Sequence, residues 1–159
     1  YHFDRGLAIA RLLGNLRLTA YANLNRAAVL LDMGRSKEAT RPLDEAKGSF
    51  EVLEEKDTLA LLRINEGQMQ MALGRWSRAE LAWRQGLEEL RRLGNPVELT
   101  RSLKRVAEFY LEGGMPEKAR AYMLEAFETS RRLGNTTMAS EMEEALGRLG
   151  QDEVLRPLN

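Results

Sequence analysis

The chain repeats itself every forty residues. Gly34, Gly74 and Gly114 stand 40 apart, as do Ala39, Ala79 and Ala119, and as do Leu13, Leu53, Leu93 and Leu133. The run Arg-Arg-Leu-Gly-Asn fills 91–95 and returns unchanged at 131–135. Leu-Leu-Gly-Asn fills 12–15, and Glu54-Glu55 takes the Gly-Asn slot of the remaining copy. Recurrence at one spacing constrains the fold more than any single motif, because a short unit that cannot bury its own apolar face must lean on the next.

Each period reads as two helices. In the clearest copy the first spans 97–112 and stops at Gly113-Gly114; the second spans about 117–133 and stops at Gly134-Asn135. Glycine just past a helix accepts the left-handed backbone that ends it. Pro96 and Pro116 suit helix starts, where a missing amide hydrogen costs little. Ser36, Thr58 and Thr136 are expected as caps or near-caps. Apolar residues recur at helical spacing, with Val106, Tyr110 and Leu111 in one helix and Ala119, Met123, Ala126 and Phe127 in the next. No segment alternates at period two, so no strand is expected. Helices this short do not hold alone, and links of two to four residues force antiparallel neighbours.

These residues resemble a tetratricopeptide repeat. The third copy matches through Leu103, Val106, Ala107, Tyr110, Gly114, Ala119, Met123 and Ala126. The second matches through Gly67, Gly74, Ala79, Trp83 and Gly86 but departs at Arg63, Glu66 and Gln70. The first matches through Ala27, Leu30, Gly34, Ala39, Leu43 and Ala46, with Asn23 and Arg26 at places expected to be apolar. That family's usual period is about 34, so forty is a longer variant. The resemblance implies an all-α solenoid of antiparallel pairs, a right-handed superhelix of about eight helices. It divides the chain into a partial second helix at 1–13, repeats at 16–54, 56–94 and 96–134, a capping helix at 136–149 and a tail at 150–159. It also implies a protein-binding role, or the sensing or self-associating segment of a larger protein such as a bacterial transcription activator. The opening Tyr1-His2-Phe3-Asp4 reads as the middle of a longer chain, which would leave Phe3, Leu7 and Leu12 partly uncovered.

Composition narrows the alternatives. The 24 basic and 24 acidic side chains cancel, so direct nucleic-acid binding is not expected. There is no cysteine and a single histidine, His2, so no metal site is expected. No apolar run approaches the roughly 18 residues of a membrane span, and a cytoplasmic setting is the default. No glycine-rich phosphate loop is present, and the carboxylate pairs Glu54-Glu55, Glu88-Glu89 and Glu143-Glu144 diverge on a helix. Neither an enzyme nor a cofactor is expected.

The resemblance places the first helix of each pair on a concave face. Aligned by the period, these helices form ladders: Tyr21, Leu61, Arg101; Leu24, Ile64, Lys104; Asn25, Asn65, Arg105; Ala28, Gln68, Glu108. The expected partner-binding residues are Tyr21, Asn25, Leu61, Asn65, Gln68, Arg101, Lys104, Arg105 and Glu108. The asparagines suit a peptide backbone, and Arg101 with Arg105, one turn apart, suits a carboxylate. The plainer reading is a local charge network, since Glu98 precedes Arg101 by three and Glu108 follows Lys104 by four. Asn65, Arg101 and Arg105 are similar to part of the carboxylate clamp of chaperone-binding members. Leu24 and Ala28 stand where Lys and Asn belong, so a chaperone-tail receptor is not expected. Trp76 and Trp83, seven apart on one face, are expected as core.

Overall fold

The computed structural model describes residues 2–12 and 14–154; Leu13 and the end of the expected tail, including Pro157, lie outside them. Eight helices fill the described residues, with no strand among them. They are α1 (His2–Leu12), α2 (Leu16–Asp32), α3 (Ser36–Val52), α4 (Lys56–Ala72), α5 (Trp76–Leu93), α6 (Pro96–Glu112), α7 (Pro116–Arg132) and α8 (Thr136–Val154). The chain forms two compact units, Tyr1–Leu93 and Gly94–Asn159. In the first, each helix from α1 to α5 packs on the next, and α2 also touches α4. In the second, α6 packs on α7 and α7 on α8. This is all-α packing of successive neighbours, consistent with an α-solenoid.

The forty-residue period sets the element boundaries. First helices start at Leu16, Lys56, Pro96 and Thr136, and second helices at Ser36, Trp76 and Pro116. The turn inside each pair is one motif used three times. Gly34, Gly74 and Gly114 take φ of 72°, 73° and 72°. The next residue's amide reaches back five positions: Arg35 to Leu30, Arg75 to Gln70 and Met115 to Tyr110, each at 2.8 Å. That closes the orphan carbonyls of the helix end.

Between pairs, the glycine ends one helix and the following asparagine opens the next. The Asn15, Asn95 and Asn135 side chains accept the amides of Leu18, Glu98 and Met138 at 2.9, 3.2 and 3.0 Å. Ser36, Thr58 and Thr136 lie inside first turns instead. The capping belongs to the asparagines because a short carboxamide one residue before the helix reaches the third amide. The last helix also differs from expectation. Gly150 keeps helical geometry and α8 continues to Val154, since glycine ends a helix only where it turns left-handed.

The cores follow the same register. Ala39, Ala79 and Ala119 are fully buried, as are Phe50, Leu90 and Ser130. Trp83 is the largest fully buried side chain. Its indole N–H donates to the Ile64 carbonyl at 3.2 Å, and its ring meets half-buried Trp76 edge-on, centroids 6.2 Å apart. Burying an indole removes about 150–250 Å² from water, or about 4–6 kcal/mol before the entropy of fixing it. Gly67 makes room for the ring, and Gly86 for the approach of the two helices. A Cβ on Gly67 would fall on the Trp83 indole, and one on Gly86 would lie 2.8 Å from the Ala60 carbonyl oxygen. On α1, Leu7 is buried, while Phe3, Ile9 and Leu12 are exposed.

Candidate functional site

The nine ladder residues fall into two sets, one in each unit. In the first unit, five lie on the adjacent helices α2 and α4. The Tyr21 hydroxyl donates to Glu55 Oε2 at 2.8 Å and lies 3.1 Å from the Thr58 hydroxyl, which donates to the same oxygen at 3.2 Å. Arg17 Nε reaches the other oxygen at 2.6 Å. Glu55 stands just before α4, in the slot where the other junctions hold a capping asparagine, and makes no cap to the backbone. It ties α4 to α2 instead. The Tyr21 hydrogen bond, followed by those from Thr58 and Arg17, holds its pKa below the ordinary glutamate value, against the opposing pull of desolvation. The Tyr21 ring also meets Phe50 edge-on at 4.9 Å.

Gln68 Nε2 makes a second tie, to Asp32 Oδ1 at 3.3 Å. Asn25 is exposed on α2, Leu61 is half-buried, and Asn65 is buried, with 6% of its surface exposed. Of the two asparagines, Asn25 therefore offers a reachable amide and Asn65 little more than an edge. Leu24, in the same register as Lys104, is buried.

In the second unit, Arg101, Lys104, Arg105 and Glu108 share α6. Arg101 Nη1 donates to Glu98 Oε1 at 2.7 Å, within one turn. Lys104 Nζ donates to Glu141 Oε2 on α8 at 2.7 Å, and that bond raises its pKa, with Coulombic help from Glu141 and Glu108 and against desolvation. The Arg105 guanidinium sits 5.6 Å from the Phe109 ring centroid. Arg101 and Glu108 are exposed, and Lys104 and Arg105 half-buried. The expected local network is thus present for Arg101, while the direct partner of Lys104 comes from the next first helix. Glu141 was invisible to sequence reasoning. Its one signal was register: it stands 37 residues after Lys104, as Thr58 does after Tyr21.

Sequence reasoning also missed a cleft of about 680 Å³ between α4 and α5, within the first unit. Its α4 wall carries Lys56, Leu59, Ala60 and Arg63; its α5 wall carries Arg84, Gln85, Glu88 and Glu89. At about 100° per residue, the α4 wall lies some 150° round the helix from Leu61, Asn65 and Gln68. Arg63 Nη1 donates to Gln85 Oε1 at 3.0 Å. Glu89 is held by two bonds from Arg92, at 3.0 and 2.6 Å, which depress its pKa against desolvation, with smaller Coulombic contributions from Arg92, Lys56 and Arg63.

Among the described residues, no cluster of three or more His, Asp or Glu is placed to hold a metal, and no helix is long and apolar enough to cross a membrane. No protein-family model and no curated protein matches the chain.

Proposed function

We propose that this chain is a tetratricopeptide-type scaffold that binds a peptide or helix of a partner protein along its first-helix faces, in the cytoplasm. The observation that carries this reading is the unbroken forty-residue recurrence of helix pairs, which repeats one partly open face at every step. Tyr21 in one unit and Arg101 in the other are exposed at matched register. Repeat arrays present such surfaces because every unit turns the same helix outward. The partner carries an acidic group, gripped by Arg101 and Arg105, since a guanidinium matches a carboxylate with two parallel donors. Glu98 competes for Arg101, so binding exchanges one carboxylate for another. We assign the chain no reaction and no cofactor.

The test is selection from a displayed peptide library on the intact chain. The expected result is enrichment of carboxylate-rich peptides. Arg101→Glu combined with Arg105→Glu should abolish their capture while helicity and melting stay close to those of the parent. Full capture by the double variant removes these anchors; no enriched peptide at all removes the scaffold reading.

A second reading has its own observation. Phe3, Ile9 and Leu12 are exposed at 38%, 54% and 88% on one short helix, apolar surface that self-association of a regulatory segment would cover. A monomer by sedimentation equilibrium at high concentration would set it aside.

A further inference from the structure

We infer that the cleft between α4 and α5 is a binding site for a small amphipathic carboxylate, a site distinct from the first-helix face. Three observations converge on it. The first is size and lining. A cleft of about 680 Å³ falls in the range that holds small organic ligands. Leu59 and buried Ala60 supply apolar contact.

The second is an imbalance of charge. Lys56, Arg63 and Arg84 line the cleft opposite Glu88 and Glu89. Both acids are already matched along α5: Glu89 by the two bonds from Arg92, and Glu88 by Arg91 Nη1 at 3.6 Å. Lys56 and Arg84 make no ion pair within 4 Å among the described residues, and Lys56 reaches Glu89 only as a weaker Coulombic neighbour, behind Arg92. Arg63 is half-buried, and Gln85 takes only Nη1, so its remaining donors are open to a ligand. A half-buried guanidinium with idle N–H groups favours an oxygen anion. The glutamates at the rim favour one carboxylate over a dianion.

The third is that this cationic set belongs to one pair alone. Forty residues earlier the positions of Lys56, Arg63 and Arg84 hold Leu16, Asn23 and Asp44, and forty later they hold Pro96, Leu103 and Leu124. Packing at this register is therefore met without cations. The close α4–α5 crossing that shapes the cleft floor depends on Gly86, which lets the Ala60 carbonyl approach.

The probes are 4-phenylbutyrate and its uncharged counterpart 4-phenylbutanol, titrated into the full chain and followed by backbone amide resonances and calorimetry. The carboxylate should shift amides in 56–63 and 84–89 saturably and bind about tenfold or more tighter than the alcohol. Lys56→Gln with Arg84→Gln, both exposed positions, should weaken it about tenfold with melting unchanged. Arg101→Glu with Arg105→Glu should leave it intact, so the cleft and the scaffold anchors fail separately. Equal binding of the alcohol, undiminished binding by the Lys56/Arg84 variant, tighter binding of phenyl phosphate, or no saturable shift in those segments would each overturn the assignment.

Discussion

The pairs α4–α5 and α6–α7 solve one packing problem with different side chains. At matched positions the first holds Gly67, Trp83 and Gly86, and the second holds Ala107, Met123 and Ala126. The indole is accommodated by the methyl missing at Gly67, while Gly86 lets α5 close on the α4 backbone at Ala60, so the repeat keeps filled volume at the helix crossing and not residue identity. The outer stripe differs too. Leu103, Val106 and Tyr110 are buried on α6, whereas the register equivalents Arg63, Glu66 and Gln70 on α4 are only half-buried. Two of those polar groups are tied sideways, Arg63 to Gln85 and Glu66 to Lys47 at 3.0 Å each. A pair with a heavier centre has a more polar flank.

The sharpest way to break this comparison is to exchange the small residue. Gly67→Ala should cost about 1–3 kcal/mol, because the indole is fully buried, bonded to the Ile64 carbonyl and unable to retreat. The reverse change in the other pair, Ala107→Gly, should cost only about 1 kcal/mol, the ordinary helix penalty plus a lost methyl contact. In a Trp83→Met background Gly67→Ala should turn neutral or stabilising, a change of sign readable in urea unfolding. The same cost in both backgrounds would mean that the glycine answers to something other than the indole.

Acid should separate the two units next. Among the described residues, four carboxylates have pKa values lowered below the ordinary glutamate value, all in the first unit: Glu38 by a hydrogen bond from Arg35, Glu45 from Arg41, Glu55 from Tyr21 and Glu89 from Arg92, each the largest cause. A carboxylate lowered in the folded state contributes stability that is present above its unfolded pKa and lost as pH falls through the folded one. In the second unit the hydrogen bond to Glu141 raises the Lys104 pKa; that contribution is present below the unfolded lysine pKa and lost as pH rises through the folded value. Both tryptophans lie in the first unit. Between pH 7 and pH 3 the melting midpoint seen by tryptophan emission should therefore fall further than that of amide resonances from α6 and α7. Coincident shifts would show the units unfolding together or the four bonds contributing nothing.

Much of the architecture was legible because the period rests on backbone chemistry. Left-handed glycines at turns and small residues at crossings are costly to replace where they stand, so they recur at the period. Asn15, Asn95 and Asn135 look in the sequence like part of a helix stop, whereas their side chains start the following helix. In the site, Arg101 with Glu98 was legible since helical spacing of three puts them together. Glu55 and Glu141 were not, because their bonds cross from one first helix to the next, and only packing decides which carboxylate arrives. The cleft was hidden for the same reason: it depends on how closely Gly86 lets α5 approach Ala60. Asn23 marks the boundary. Its misfit to the apolar pattern was visible, but its bond to Glu45 at 3.0 Å, and a carbonyl oxygen buried without a partner, belong to the folded state.

The smallest effect tests the one junction that departs from the others. Gly14, Gly94 and Gly134 take φ of 62°, 66° and 69°, and Glu54 takes 54° in the same role. A side chain in that conformation costs roughly 1–2 kcal/mol, against about 0.5–1 kcal/mol that glycine loses through the greater freedom of its unfolded chain. The Glu54 side chain is exposed, and the capping bond from the Glu55 amide to the Phe50 carbonyl, 3.1 Å, does not involve it. Glu54→Gly should therefore raise stability by about 0.5 kcal/mol, or about 1–2 °C in Tm for a chain of this size. Glu54→Ala should give no gain, since alanine keeps the strained Cβ. A gain from alanine as large as that from glycine would place the penalty in the carboxylate's charge and not in the backbone.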